Sequence, residues 1–251
     1  YYTARESAAV ATNFSVVSLP FSLLIAKVAG ISHLYFGWYL TMILVCIVCA
    51  FVMVRLPPLS RMPDTYHPDS RRTGVDAGSS DSADRGDLLV RATAAASARA
   101  ATAPGPGMLL RGSLLQTVSV VFNVIPAAMA LATLTAVLVF HTPVFEVLSW
   151  PLAWLLSVFS FPEAMATAPG LLAGFLDQFM PALIAANVDS ELARFVLAGL
   201  SVTQLIFMAE VGVLILRSSL PLGLQDLMLI FALRTLIVFP LLTLAGLWLT
   251  A

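Results

Sequence analysis

The chain has 251 residues, 59% apolar and only 11% charged, with a formal net charge of −1. Its mean hydropathy is +0.93. Soluble domains carry about 25% charged residues, so this balance excludes an ordinary soluble class and points to an integral membrane protein. No basic patch is interleaved with aromatics, which excludes nucleic acid as a partner. The apolar runs are continuous rather than alternating, so they read as helices and not as barrel strands.

The chain opens at Tyr1 without Met or a signal-peptide pattern. It reads as a piece of a longer protein that lacks its N-terminal part. The first predicted span is Ala8 to Ala29, polar in its first half (Thr12, Asn13, Ser15, Ser18) and kinked at Pro20. The kink frees a backbone carbonyl near Val16. Tyr35 to Val54 is the second span, opened by the interfacial aromatics Tyr35, Trp38 and Tyr39. Its Cys46-Ile-Val-Cys49 lies inside the apolar run with no second pair or nearby His, and reads as two small hydrophobes.

Residues 56–108 are rich in Asp, Ser, Arg, Gly and Pro and are expected to be a largely disordered cytoplasmic loop. Within it, Asp87 to Ala101 is a candidate surface helix, stopped by Pro104-Gly-Pro-Gly107. A third span, Ser113 to Phe140, is interrupted by Asn123 and Pro126. Thr142 to Phe161, with Glu146, Trp150, Pro151 and Trp154, is long enough to span, and its mid-run proline and two tryptophans also fit a helix lying at the membrane interface, the favoured reading. Pro162 to Asn187 is broken by Pro169, Gly170, Gly174 and Pro181. Its two apolar pieces are too short to cross and predict a re-entrant hairpin.

Ala193 to Leu216 follows, with Ser190 as its N-cap. Its 24 residues would reach about 36 Å as a helix, beyond the roughly 30 Å hydrocarbon core. It nevertheless carries Ser201, Thr203, Gln204 and Glu210. An acid inside such a run marks a pathway or binding site by default. Glu210 reads as a substrate acceptor, cation ligand or proton carrier, or else as half of a buried ion pair with Arg234 on the last span, Leu222 to Leu249.

Phe14 to Phe21 (FSVVSLPF) aligns with Leu200 to Phe207 (LSVTQLIF), matching at Ser15/Ser201, Val16/Val202, Leu19/Leu205 and Phe21/Phe207. Arg5, Arg55, Arg61, Arg71, Arg72 and Arg111 mark one side as cytoplasmic, with Arg194 as a mild counterexample. The two copies then run antiparallel, as inverted transporter repeats do. Asn13, Ser15 and Ser18 are expected to face Ser201, Thr203, Gln204 and Glu210 across a polar centre. With the carbonyl freed by Pro20 they offer the oxygen ligands that a hard cation such as Na⁺ favours. The histidines are scattered, and no nucleophile triad, carboxylate pair or phosphate loop is present. No enzyme reading has support, and no metal site is expected.

YYTARESAAVATNFSVVSLPF, RLPPLS and SVTQLIFMAEVGVLILRSSLPL resemble the YjiH family of bacterial inner-membrane proteins, which contain a nucleoside-recognition (Gate) domain. The resemblance covers nearly everything except residues 56–108. It implies an all-α, polytopic, inverted-repeat fold with two re-entrant hairpins, each followed by a partly unwound helix. Residues 1–55 would be the first repeat half, 109–161 a connecting span plus interfacial helix, and 162–251 the second half. The first hairpin would lie upstream of Tyr1. Asp177 and Gln178 are approximate counterparts of the hairpin acids and amides of nucleoside transporters. The implied function is movement of a small polar solute, with nucleoside-like compounds among the candidates, by alternating access, with Na⁺ or H⁺ coupling. The alternative is a structural or regulatory subunit acting in a homo-oligomer or with a second Gate-domain protein.

Overall fold

The computed structural model describes residues 3–13, 19–62, 93, 96, 97, 100, 101, 105–218 and 220–250, without the side chains of 120, 123, 124, 127 and 128. Their elements are helical: α1 (Ala4–Asn13), α2 (Leu19–Val28), α3 (Tyr35–Met53), α4 (Pro106–His141), α5 (Val144–Val158), α6 (Ala164–Ala173), α7 (Met180–Ala185), α8 (Glu191–Thr203), α9 (Val213–Arg217) and α10 (Leu224–Leu249). They fall into two compact units, Tyr1–His67 with Ala127–Ala251, and Pro68–Pro126. In the second unit the described residues from Thr93 to Ala101 are helical, and the described side chains are exposed. Of residues 56–108, expected to be a largely disordered loop, 63–92 and most of 94–104 lie outside the described residues, while 59–61 form a 3-10 turn and 106–108 begin α4.

One expectation about proline changes. Pro126 does not interrupt its helix, since α4 is continuous through it. The kink expected at Pro20, with the carbonyl it would free near Val16, falls on 14–18, outside the described residues. A Thr-x-x-Glu capping box starts α1: Glu6 N donates to Thr3 Oγ1 at 3.2 Å, and Thr3 N donates to Glu6 Oε2 at 2.8 Å.

Three segments are long and apolar enough to cross a membrane: Ser32–Met53, Glu191–Arg217 and Leu224–Leu249. The helices Met129–His141 and Val144–Val158 qualify only as a pair, bent by 70°. The chain therefore has the helical build of a membrane protein, and its side chains are sorted accordingly. On α3 one face, Trp38, Met42, Val45, Cys49 and Met53, is buried. The opposite face, with Phe36, Leu40, Leu44, Ile47 and Phe51, is exposed and equally apolar. A helix in water would carry charge there. Cys46 and Cys49 are free thiols, the second inside the core.

The segment Glu191–Arg217 is central, 67% buried against 28% and 33% for the other two. Its helix α8 is held at both ends. Ser190 Oγ accepts from Ala193 N at 3.3 Å, the expected N-cap. Glu163, in the left-handed region at φ 50°, accepts the Asp189 and Ser190 amides with its carboxylate and ties the start of α6 to that of α8. Small residues let α8 and α10 approach closely. A Cβ at Gly199 would sit 2.6 Å from Leu242 Cδ1, and one at Gly246 2.6 Å from Leu192 Cδ1. Close approach through small residues is how helices associate where lipid removes the hydrophobic drive.

Gly199→Leu should overpack this contact and cost about 1–3 kcal/mol. A lowered thermal unfolding midpoint of the full-length protein in detergent would register it, and an unchanged midpoint would contradict the contact.

Candidate functional site

The central segment is not one helix. After Thr203 the main chain leaves α-geometry for Gln204–Phe207, turns through a π-helical stretch at Met208–Gly212, and resumes as α9. Leu205 takes φ 63°, a left-handed conformation that costs a non-glycine residue about 1–2 kcal/mol. Such a break frees backbone donors and acceptors that a membrane interior cannot solvate. Each has to find a protein partner.

Part of the answer is the loop between α6 and α7. Met208 N donates to Phe175 O at 2.8 Å, and Ala209 N to Leu176 O at 2.9 Å. Ile206 N donates to Gln204 O at 2.8 Å, and Gly212 N to Phe207 O at 2.8 Å closes the π turn. The Gln204 side chain is fully buried. Its Nε2 donates to Leu171 O at 2.9 Å and to Thr235 Oγ1 at 3.0 Å, joining α6, α8 and α10. Its Oε1 is buried without a hydrogen-bond partner, as is Ser201 Oγ one turn earlier. Gly174 makes room for that oxygen, since a Cβ there would lie 2.0 Å from it.

The acids lie on the loop side of the break. Asp177 is 4% exposed and accepts the Phe179 amide at 2.8 Å, starting α7. Gln178 beside it is also buried. The Glu210 carboxylate, half-buried in the π turn, has no hydrogen bond or ion pair among the described residues. The charge that bears on it is the like charge of Asp177. Among the described residues, no group of three His, Cys, Asp or Glu is arranged to hold a metal ion.

Arg234 is not the partner of Glu210. It is fully buried on α10, and its guanidinium turns to the end of α8 and to α1 instead. Nε and Nη2 donate to Thr203 O at 3.1 and 2.8 Å. Nη1 donates to Asn13 Oδ1 at 2.7 Å and to Thr12 O at 3.3 Å. Thr203 O is available because α8 stops there. A helical carbonyl at that position would accept from Phe207 N, four residues on, and Phe207 is already extended.

Of the residues singled out in the sequence, Asn13 and Thr203 therefore meet through Arg234, and Gln204 is bonded to the next residue of α10. Thr203 Oγ1 serves its own helix, donating to Gly199 O at 2.9 Å. Ser15 and Ser18 lie outside the described residues. Thr12, Gly174 and Thr235 belong to the same constellation without having been singled out as site residues. A weak signal existed for Thr235, which adjoins the one arginine of the last span, and for Gly174, which sits at the hairpin break.

No family model matches the chain. It is 40% identical over 240 residues to an uncharacterized protein of Alkalihalophilus pseudofirmus, an alignment that covers 96% of this chain and 51% of that protein. The chain thus spans about half the length of the curated relative it matches. No solved structure matches.

Gly174→Ala should displace the Gln204 amide and break its bonds to Leu171 and Thr235, at a cost of about 1–3 kcal/mol. In a Gln204→Ala background, which removes the clashing oxygen, the same substitution should be nearly neutral. A double-mutant thermal cycle reads the difference, and additive effects would refute the contact.

Proposed function

We propose that this chain forms the core of a polytopic transport protein of a bacterial inner membrane, moving a small polar solute by alternating access. The supporting observation is the join between the broken central segment and the α6–α7 loop. There a span-length apolar segment opens its main chain, two amides are held by a neighbouring loop, and Glu210 sits without a counter-charge. A carboxylate at such a depth costs roughly 2.5–3.5 kcal/mol, a cost that a solute, cation or proton would offset. α6 and α7 are too short to cross, which fits a re-entrant hairpin lining a cavity. The alignment of Phe14–Phe21 with Leu200–Phe207 makes α1 and α2 the inverted counterpart of α8 and α9. The resemblance to the YjiH family adds the Gate-type transporter architecture, and Na⁺ or H⁺ coupling belongs to the same reading.

In this reading the solute meets Glu210, Asp177, Gln178 and the free Gln204 Oε1 on one side of the break, and Ser201 from α8. Asn13, Ser15 and Ser18 contribute from the first repeat. The second reading, a structural or regulatory membrane subunit, draws on the Arg234 guanidinium being engaged by its own chain. Homo-oligomerisation, or a complex with another Gate-domain protein, belongs to that alternative.

The full-length protein, reconstituted in liposomes, tests the choice. Its thermal midpoint is first screened against nucleosides, bases, amino acids and monovalent cations, because a bound solute raises it by mass action. Glu210→Gln should reduce accumulation of the stabilising solute by roughly tenfold or more while the unliganded midpoint stays close to wild type. Uptake at the wild-type rate in Glu210→Gln removes the main support for transport. A panel without any stabilising or accumulating solute favours the subunit reading.

A further inference from the structure

We infer that Arg234 is an electrostatic latch that ties α1 and the end of α8 to the continuous helix α10. A fully buried guanidinium is expected to sit against a carboxylate, because an unpaired charge in a low-dielectric interior is costly. Among the described residues Arg234 has no such partner. The ionisable groups that bear on it are the Cys49 and Cys46 thiols of α3. Its bonds go to Thr203 O, the last residue of α8, and to Thr12 O and Asn13 Oδ1 of α1. The α8 C-terminus carries about half an elementary negative charge from its aligned peptide dipoles and orphan carbonyls. Thr12 O and the Asn13 amide oxygen add neutral acceptors. The guanidinium charge is thus offset in part, by backbone and one amide, without an acid.

The geometry suits arginine and not lysine. A planar fork reaches acceptors on two sides at once, whereas an ammonium is a point charge on a flexible stem. Asn13 is held for the task. Its Nδ2 donates to Ala9 O at 3.0 Å and to Thr12 Oγ1 at 3.2 Å, which turns Oδ1 toward the arginine. The consequence is mechanical. The α8 break and α1 are bonded to the same side chain, so neither moves away from α10 without leaving a guanidinium short of acceptors. The latch belongs to the fold and holds whether or not the chain carries a solute.

The test reads charge, because simple packing would not. In the full-length protein in nanodiscs, amide hydrogen exchange of α1 is followed with that of the middle of α10 as internal control. Asn13→Ala should speed α1 exchange by roughly tenfold, and Asn13→Asp should slow it, since a carboxylate meets an incompletely offset cation. In an Arg234→Gln background the sign of Asn13→Asp should invert, because the acid then meets the negative end of α8 and has no cation to face. Asn13→Ala should add little there. If Arg234→Gln does not fold, the order Ala faster than Asn faster than Asp in the Arg234 background still supports the latch. Equal exchange in all three Asn13 variants, or acceleration by Asp as large as that by Ala, overturns it.

Discussion

A helix that stops inside an apolar interior must hand its freed backbone groups to something other than water, and much of this fold follows from how that is done at Thr203. The acceptors go to a guanidinium from α10, and the donors go to the loop between α6 and α7. An unsatisfied peptide group in an apolar medium costs several kcal/mol, more than the strain of one left-handed leucine. The break is therefore stable only while α6, α7 and α10 surround it. This explains why Glu191–Arg217 is the most buried of the three spans and why glycines lie at its contacts with its neighbours.

The same constraint links elements far apart in sequence. Arg234 reaches Asn13 and Thr203, and Gln204 reaches Leu171 and Thr235. These bonds convert a break, which would be a weak point, into the place where four helices are joined. The acids are treated differently. The Glu210 carboxylate has no cationic partner among the described residues, and the charge that bears on it is the like charge of Asp177. The centre thus has a satisfied side, at Arg234, and an unsatisfied side, at Glu210. That asymmetry is what the transport reading rests on.

Much of this was legible before any coordinates. The second span, the Ser190 cap and the two short pieces around Asp177 follow from apolar run length, capping chemistry and Gly/Pro punctuation. The run from Ser201 to Glu210 stood out because polar residues are costly there. The Glu210–Arg234 pair was expected because opposite charges are the visible way to neutralise each other. It does not form, since a helix end offers a neutral-looking carbonyl that no residue letter announces.

What the sequence determines by itself is local: which stretches are apolar enough to cross, where a helix begins, and that Ser201 to Glu210 cannot face lipid along its whole length. These depend on composition and on neighbours a few residues away. The tertiary structure alone decided where the break falls, that Gln204 binds Leu171 and Thr235, and that Arg234 chose the end of α8 and the Asn13 amide over an acid. Those choices depend on backbone groups freed in one element meeting a side chain from another, and such acceptors exist only once the chain has folded.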